Sequence, residues 1–79
     1  MGKKQNDADN IRIGRWMAEK RAESGMSQQA VADRLGVTRT AVHYWESGKR
    51  TIYAVNFMEY CKAIGANPEE IVRDLYSKK

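Results

Sequence analysis

The sequence predicts an all-α fold, a compact bundle of five helices, and three observations carry that reading. From Ile11 onward apolar residues recur at helical spacing, as at Ile13 and Met17, Val31 and Leu35, and Phe57, Cys61 and Ile64. The runs are punctuated by glycines at Gly25, Gly36, Gly48 and Gly65, and Ser27, Thr38 and Asn67 stand where a side-chain oxygen caps a helix start. No stretch alternates with period two, and no Asn-Gly or Asp-Gly pair marks a hairpin.

Residues 1–10 are polar and charged, offer little to bury and are expected to form a mobile arm ahead of a helical domain over residues 11–76, with a tail at residues 77–79. The first helix is expected from about Asn10 to Ser24, with Ile13, Met17 and Arg21 along one face and Lys20 interrupting it. Ser27 caps a second helix, Gln28 to Leu35, with Val31, Ala32 and Leu35 facing inward. Thr38 caps a third, Arg39 to Ser47, which buries Val42 and Trp45 and stops at Gly48. After the loop from Lys49 to Ile52, a fourth helix is expected from about Tyr53 to Ile64, with Ala54, Phe57, Met58, Cys61 and Ile64 as its apolar stripe. Asn67-Pro68-Glu69-Glu70 combines a cap, a proline at the first helical position and two acids at the positive dipole end, so a fifth helix runs to about Tyr76.

Composition excludes several functions. With 79 residues the chain holds one domain, and no separate sensor or catalytic domain or small-molecule ligand is expected. Lys and Arg number 14 against 10 acids, a formal charge of +4 and a pI near 9.4, which favours a polyanionic partner. Cys61 is the single cysteine, has no disulfide partner and reads as a small buried hydrophobe. A cytoplasmic location without membrane attachment is expected: no apolar run spans a bilayer, no signal peptide follows the basic start, and Asn6 stands where a myristoylation motif needs Ser or Thr. His43 is the sole histidine, so neither a histidine pair for catalysis nor a metal site built on it is expected. With no Gly-rich phosphate loop and no paired carboxylates in a cleft, the chain does not read as an enzyme and calls for no cofactor.

The informative constellation is the pair of short helices joined by Gly36-Val37-Thr38. So short a connection forces a sharp turn. The close crossing needs a small residue, supplied by Ala32; the turn needs positive φ, supplied by Gly36; and Val31, Leu35, Val37, Val42 and Trp45 plug the corner. On Gly25 to Thr38, Val42, and Trp45-Glu46-Ser47-Gly48-Lys49-Arg50, with weaker support from Ile64-Gly65 and Asn67 to Ile71, the chain resembles the lambda-repressor-like, Cro-type helix-turn-helix proteins, the XRE family of phage and bacterial regulators. The resemblance covers Ile13 to Leu75 and implies a sequence-specific regulator acting on a double-stranded DNA operator.

The resemblance implies that the third helix lies in the major groove, with Thr38, Arg39, Thr40, His43 and Tyr44 toward base edges. Helical spacing independently makes 39, 40, 43 and 44 one patch that the core does not use. Arg39 can donate a bidentate pair to guanine, or else contact a phosphate; Thr40 offers a methyl or a hydroxyl; Tyr44 reaches a base or a phosphate; His43 is a base contact or an exposed polar residue at the edge. Phosphates are expected at the start of the second helix, at Ser27 and Gln28, and at Lys49 and Arg50. The resemblance gives Gln28 a phosphate contact and a bracing role, and makes Arg21 and Glu46 a structural ion pair rather than two separate surface charges.

Three features depart from the family pattern: Thr51-Ile52-Tyr53 replaces the usual proline after the loop, Lys20 takes an apolar position, and Trp16 falls beside the core stripe, exposed to a partner or covering the core edge. One short helix reads too few base pairs for discrimination, so a homodimer is expected, with Tyr60, Val72, Leu75 and Tyr76 as its surface. The alternative reading is an antitoxin or a protein-interaction module on the same fold; the polar, basic patch at 39–44 lacks the apolar anchors such a module would use.

Overall fold

The computed structural model describes the backbone of residues 2–76 and the side chains of residues 8–76. It contains five helices, α1 (Gly2–Glu23), α2 (Gln28–Leu35), α3 (Arg39–Ser47), α4 (Ala54–Ile64) and α5 (Glu70–Leu75), and no strand among the described residues. The expected tail at 77–79 lies outside the described residues.

Local chemistry sets the bounds of α2 and α3. Ser27 Oγ accepts the Ala30 amide at 3.0 Å and Thr38 Oγ1 accepts the Ala41 amide at 3.0 Å, so each helix begins on a side-chain cap. Between them Gly36 adopts φ 71°, and the Val37 amide returns to the Ala32 carbonyl at 3.0 Å. A β-carbon at that φ would be strained, so the sharp corner requires the glycine.

The core gathers Trp16 and Met17 from α1, Val31 and Ala32 from α2, Val42 and Trp45 from α3, and Tyr60, Cys61 and Ile64 from α4. α3 is packed between α1 and α2, α2 rests on α4, and α5 closes over α1. The approach of α1 to α3 is unusually close. A β-carbon on Gly14 would stand 2.5 Å from the Glu46 carbonyl oxygen and 2.8 Å from its carbon, and one on Gly48 would stand 2.8 Å from Ile11 Cα. Two glycines therefore let the backbones of α1 and the end of α3 touch.

Several boundaries and faces differ from the sequence reading. α1 begins at Gly2, not Asn10, because nothing between those residues breaks a helix, although apolar residues begin only at Ile11. Asn10, inside α1, donates its side-chain amide to Thr51 Oγ1 at 2.9 Å, tying α1 to the loop after α3. α4 begins at Ala54, with Tyr53 as its flanking residue. α5 begins at Glu70 rather than Pro68, since Asn67 Oδ1 takes the Glu69 amide and the next amides, from Glu70 to Val72, make i→i+3 bonds before regular α-helix starts.

The buried face of α4 is centred on Tyr60, Cys61, Ala63 and Ile64, and Ala54 and Met58 face solvent. Tyr60, expected on a dimer surface, is fully buried at 0% exposure. Trp16, at 4%, covers the core edge and donates its indole N–H to Asp74 Oδ2 at 2.9 Å, joining α1 to α5. Lys20 flanks it, with Glu70 and Asp74 carboxylates 3.6 and 3.8 Å from its ammonium. The lysine that interrupts the apolar face thus binds the last helix by charge. Burial opposes its protonated form, but Glu23, Glu70 and Asp74 outweigh that and raise its pKa. Among the described residues no helix is long and apolar enough to cross a membrane.

Candidate nucleic-acid interface

α3 has two unlike faces. Val42, Trp45 and Glu46 point inward and are buried, while Arg39, Thr40, His43 and Ser47 are exposed and Tyr44 is half-buried. Thr40, His43 and Ser47, spaced i, i+3, i+7, form the outermost line, so Ser47 joins a patch from which the sequence reading omitted it. Thr38 is exposed at the N-terminal end, its oxygen occupied as a cap and its hydroxyl proton still free to donate.

The inward face is pinned by one buried acid. Glu46 Oε1 accepts from Arg21 Nη2 at 2.9 Å and from Gln28 Nε2 at 2.9 Å. Its Oε2 accepts from Arg21 Nε at 2.7 Å and from the Tyr60 hydroxyl at 2.6 Å. Arg21 Nη1 donates onward to the Met26 carbonyl at 2.9 Å, and the Met17 carbonyl lies 3.1 Å from the Tyr60 hydroxyl. A single carboxylate thereby joins α1, α2, α3 and α4. No buried side-chain nitrogen or oxygen among the described residues lacks a partner.

The electrostatics follow from this arrangement. Burial opposes ionisation of Glu46, but hydrogen bonds from Arg21, Gln28 and Tyr60 and the Arg21 charge outweigh it and hold the carboxyl below its ordinary pKa. The hydrogen bond to Glu46 raises the Arg21 pKa. Burial, together with donation to the carboxylate, pushes the Tyr60 phenol far up, so it stays a donor throughout the working pH range.

Arg21 and Glu46 are therefore brought together, and Gln28 is joined to them rather than extended into solvent. Its Nε2 has a second hydrogen, which Glu46 does not use. Ser27 is exposed beside it, and at the start of α2 the Gln28 and Gln29 amides have no acceptor within the helix. On the other flank Lys49 and Arg50 are exposed; their amides bond the Tyr44 carbonyl at 3.0 and 3.2 Å, which holds the loop without a proline. Between Arg34 and Tyr53 the one acid is Glu46, and it is buried and paired, so the exposed side chains of this stretch carry positive charge alone.

Sequence reasoning missed Tyr60 and Gly14. Phe57, Tyr60, Cys61 and Ile64 share helical spacing, so the inward position of Tyr60 is available in the pattern, although the stripe expected for the fourth helix leaves it out. Among the described residues no cluster of three His, Cys, Asp or Glu side chains could hold a metal ion.

A helix-turn-helix family model matches residues 17–71. Among solved structures the chain is similar to the restriction-modification controller protein C.AhdI from Aeromonas hydrophila, with 31% identity and a TM-score of 0.77 over 82% of this chain and 94% of that one. It is also similar to an XRE-family like protein from Pseudomonas syringae pv. tomato, with 27% identity and a TM-score of 0.82 over 95% and 92% of the two chains. The clp gene regulator ClgR from C. glutamicum shares the fold at 18% identity, with a TM-score of 0.78 over 82% and 84%. Among curated proteins none matches by sequence.

Proposed function

The chain belongs to the XRE family of helix-turn-helix proteins, and from that membership we propose that it is a sequence-specific transcriptional regulator that reads double-stranded DNA with α3 in the major groove. The observation that carries this reading is the outward face of α3, where Arg39, Thr40 and His43 are exposed beside Lys49 and Arg50 while the one acid of the region is buried. Arg39, near the N-terminal end, reads a guanine through its two parallel donors, and Thr38, Thr40 and His43 complete the contact with the bases. Ser27, Gln28 and the free amides at the start of α2 hold one phosphate, and Lys49 and Arg50 hold another across the groove. As a regulator of this kind the protein works in the cytoplasm. The likeness to a restriction-modification controller supports a regulatory role.

The protein acts as a homodimer, because one α3 spans too few base pairs to discriminate among the non-specific sites of a genome. The exposed apolar residues Val55 and Met58 of α4 and Val72 and Tyr76 by α5 supply its surface; Leu75 is half-buried against the core and contributes at the edge.

Selection of binding sites from random duplexes at fixed salt tests both statements. Two related half-sites about 34 Å apart are expected; enrichment of a lone half-site would remove the dimer, and no enrichment would remove the DNA-binding reading. On the selected duplex, Arg39→Ala is expected to cost about 1–3 kcal/mol, relaxing preference at one base pair of each half-site. Lys49→Ala should weaken all duplexes alike and flatten the salt dependence. A uniform loss for both variants would reassign Arg39 to a phosphate.

A further inference from the structure

We propose that Tyr44 is a positioning residue for the phosphate clamp, its ring and carbonyl together fixing where Lys49 and Arg50 present their charges; this rests on α3 being the helix that faces DNA. Arg50 Cζ lies 5.4 Å and Lys49 Nζ 5.8 Å from the centroid of the Tyr44 ring. The Tyr44 carbonyl accepts the amides of the same two residues at 3.0 and 3.2 Å. One residue therefore holds both the backbone and the cationic ends of the loop. Tyr44 is half-buried where Thr40 and His43 are exposed, and its ring lies 6.1 Å from that of His43, so it stands between the outer face of α3 and the two cations of the loop.

The charge pattern points to an anion. Two like charges are gathered on one ring, and among the described residues neither Lys49 nor Arg50 forms an ion pair. The negative face of the aromatic ring offsets part of their repulsion. An anionic phosphate engaged by these cations would offset more, and side chains already held near the ring lose less rotamer freedom when they engage it. The role needs the aromatic face and not the hydroxyl.

That distinction sets the test. DNA binding of the full chain is followed by fluorescence anisotropy on the selected duplex and its single-base-pair variants, across a range of salt. Tyr44→Phe is expected to match the unsubstituted protein on every duplex. Tyr44→Leu should weaken binding to all of them by the same factor, about tenfold, and flatten the salt dependence by about one phosphate contact. In a Lys49→Ala, Arg50→Ala background the Tyr44→Leu loss should vanish, which separates the clamp from any effect on folding. A Tyr44→Phe loss confined to one base pair would make the hydroxyl a base reader and overturn the proposal, as would an unchanged salt slope in Tyr44→Leu or a loss that persists without the two cations. Failure of the underlying reading looks different, since the unsubstituted protein would then prefer no duplex.

Discussion

Glu46→Ala is expected to lower stability by about 3–5 kcal/mol, the usual cost of removing one partner from a buried charge network. Arg21, Gln28 and Tyr60 lose an acceptor together, and the Tyr60 hydroxyl is left with the Met17 carbonyl alone. A domain of this size has a total stability of about 4–12 kcal/mol, so thermal unfolding should move down by well over 10 °C. DNA affinity should fall with it, because the same carboxylate holds Gln28 of α2 to the end of α3. Circular dichroism melting beside an equilibrium binding curve checks both, and an unchanged melt would remove the pairing from the account. Adding Arg21→Ala should cost less than the two single losses summed, since the groups share one network.

The same carboxylate gives the fold an acid limb. Its pKa is lowered on folding, so its contribution is complete above the ordinary carboxylate range and lost as pH falls through that range and then through its lower native value. Glu46→Gln should flatten this limb; a limb as steep as the original would assign it to other acids.

Gly14→Ala is the second large effect, and its sign is opposite to what helix propensity implies. In the interior of an exposed helix the change stabilises by about 0.5–1 kcal/mol. At Gly14 the new methyl would meet the backbone carbonyls of Trp45 and Glu46, neither of which can rotate away. Separating α1 from α3 at this point would loosen the packing under Val42 and Trp45, so a net destabilisation of about 1–3 kcal/mol is expected. On the proposed reading a shift of α3 also displaces Arg39 and Thr40 from the bases they would contact, so affinity for the selected duplex should fall more than affinity for bulk DNA. A variant that melts higher than the unsubstituted protein would contradict the close approach.

The parts of this molecule that are local in sequence were legible there. Ser27, Thr38 and Gly36 fix α2, α3 and the corner between them by chemistry within four residues of each site, and the period of 3.6 separates Arg39, Thr40 and His43 from Val42 and Trp45. What stayed hidden depends on chain brought from afar. Gly14 carries no local sign that it faces the carbonyls of α3, more than 30 residues away. Tyr60 reads as a surface aromatic until Glu46 is seen to need a further donor on Oε2. Met58 belongs to the apolar stripe by spacing but faces outward, because the buried side of α4 is centred on Tyr60, Cys61, Ala63 and Ile64. The start of α1 is not legible because a polar segment gives no amphipathic signal even where its backbone is helical.

The most direct test of the central claim is a map of backbone amide shifts, by 1H–15N NMR, as the selected duplex is added at moderate salt. The account predicts the largest changes at Gln28 and Gln29, from Thr38 to Tyr44, and at Lys49 and Arg50, with Ala63, Ile64 and Glu70 little affected. Changes centred on α4 and α5 that leave Arg39, Thr40 and His43 unmoved would contradict it.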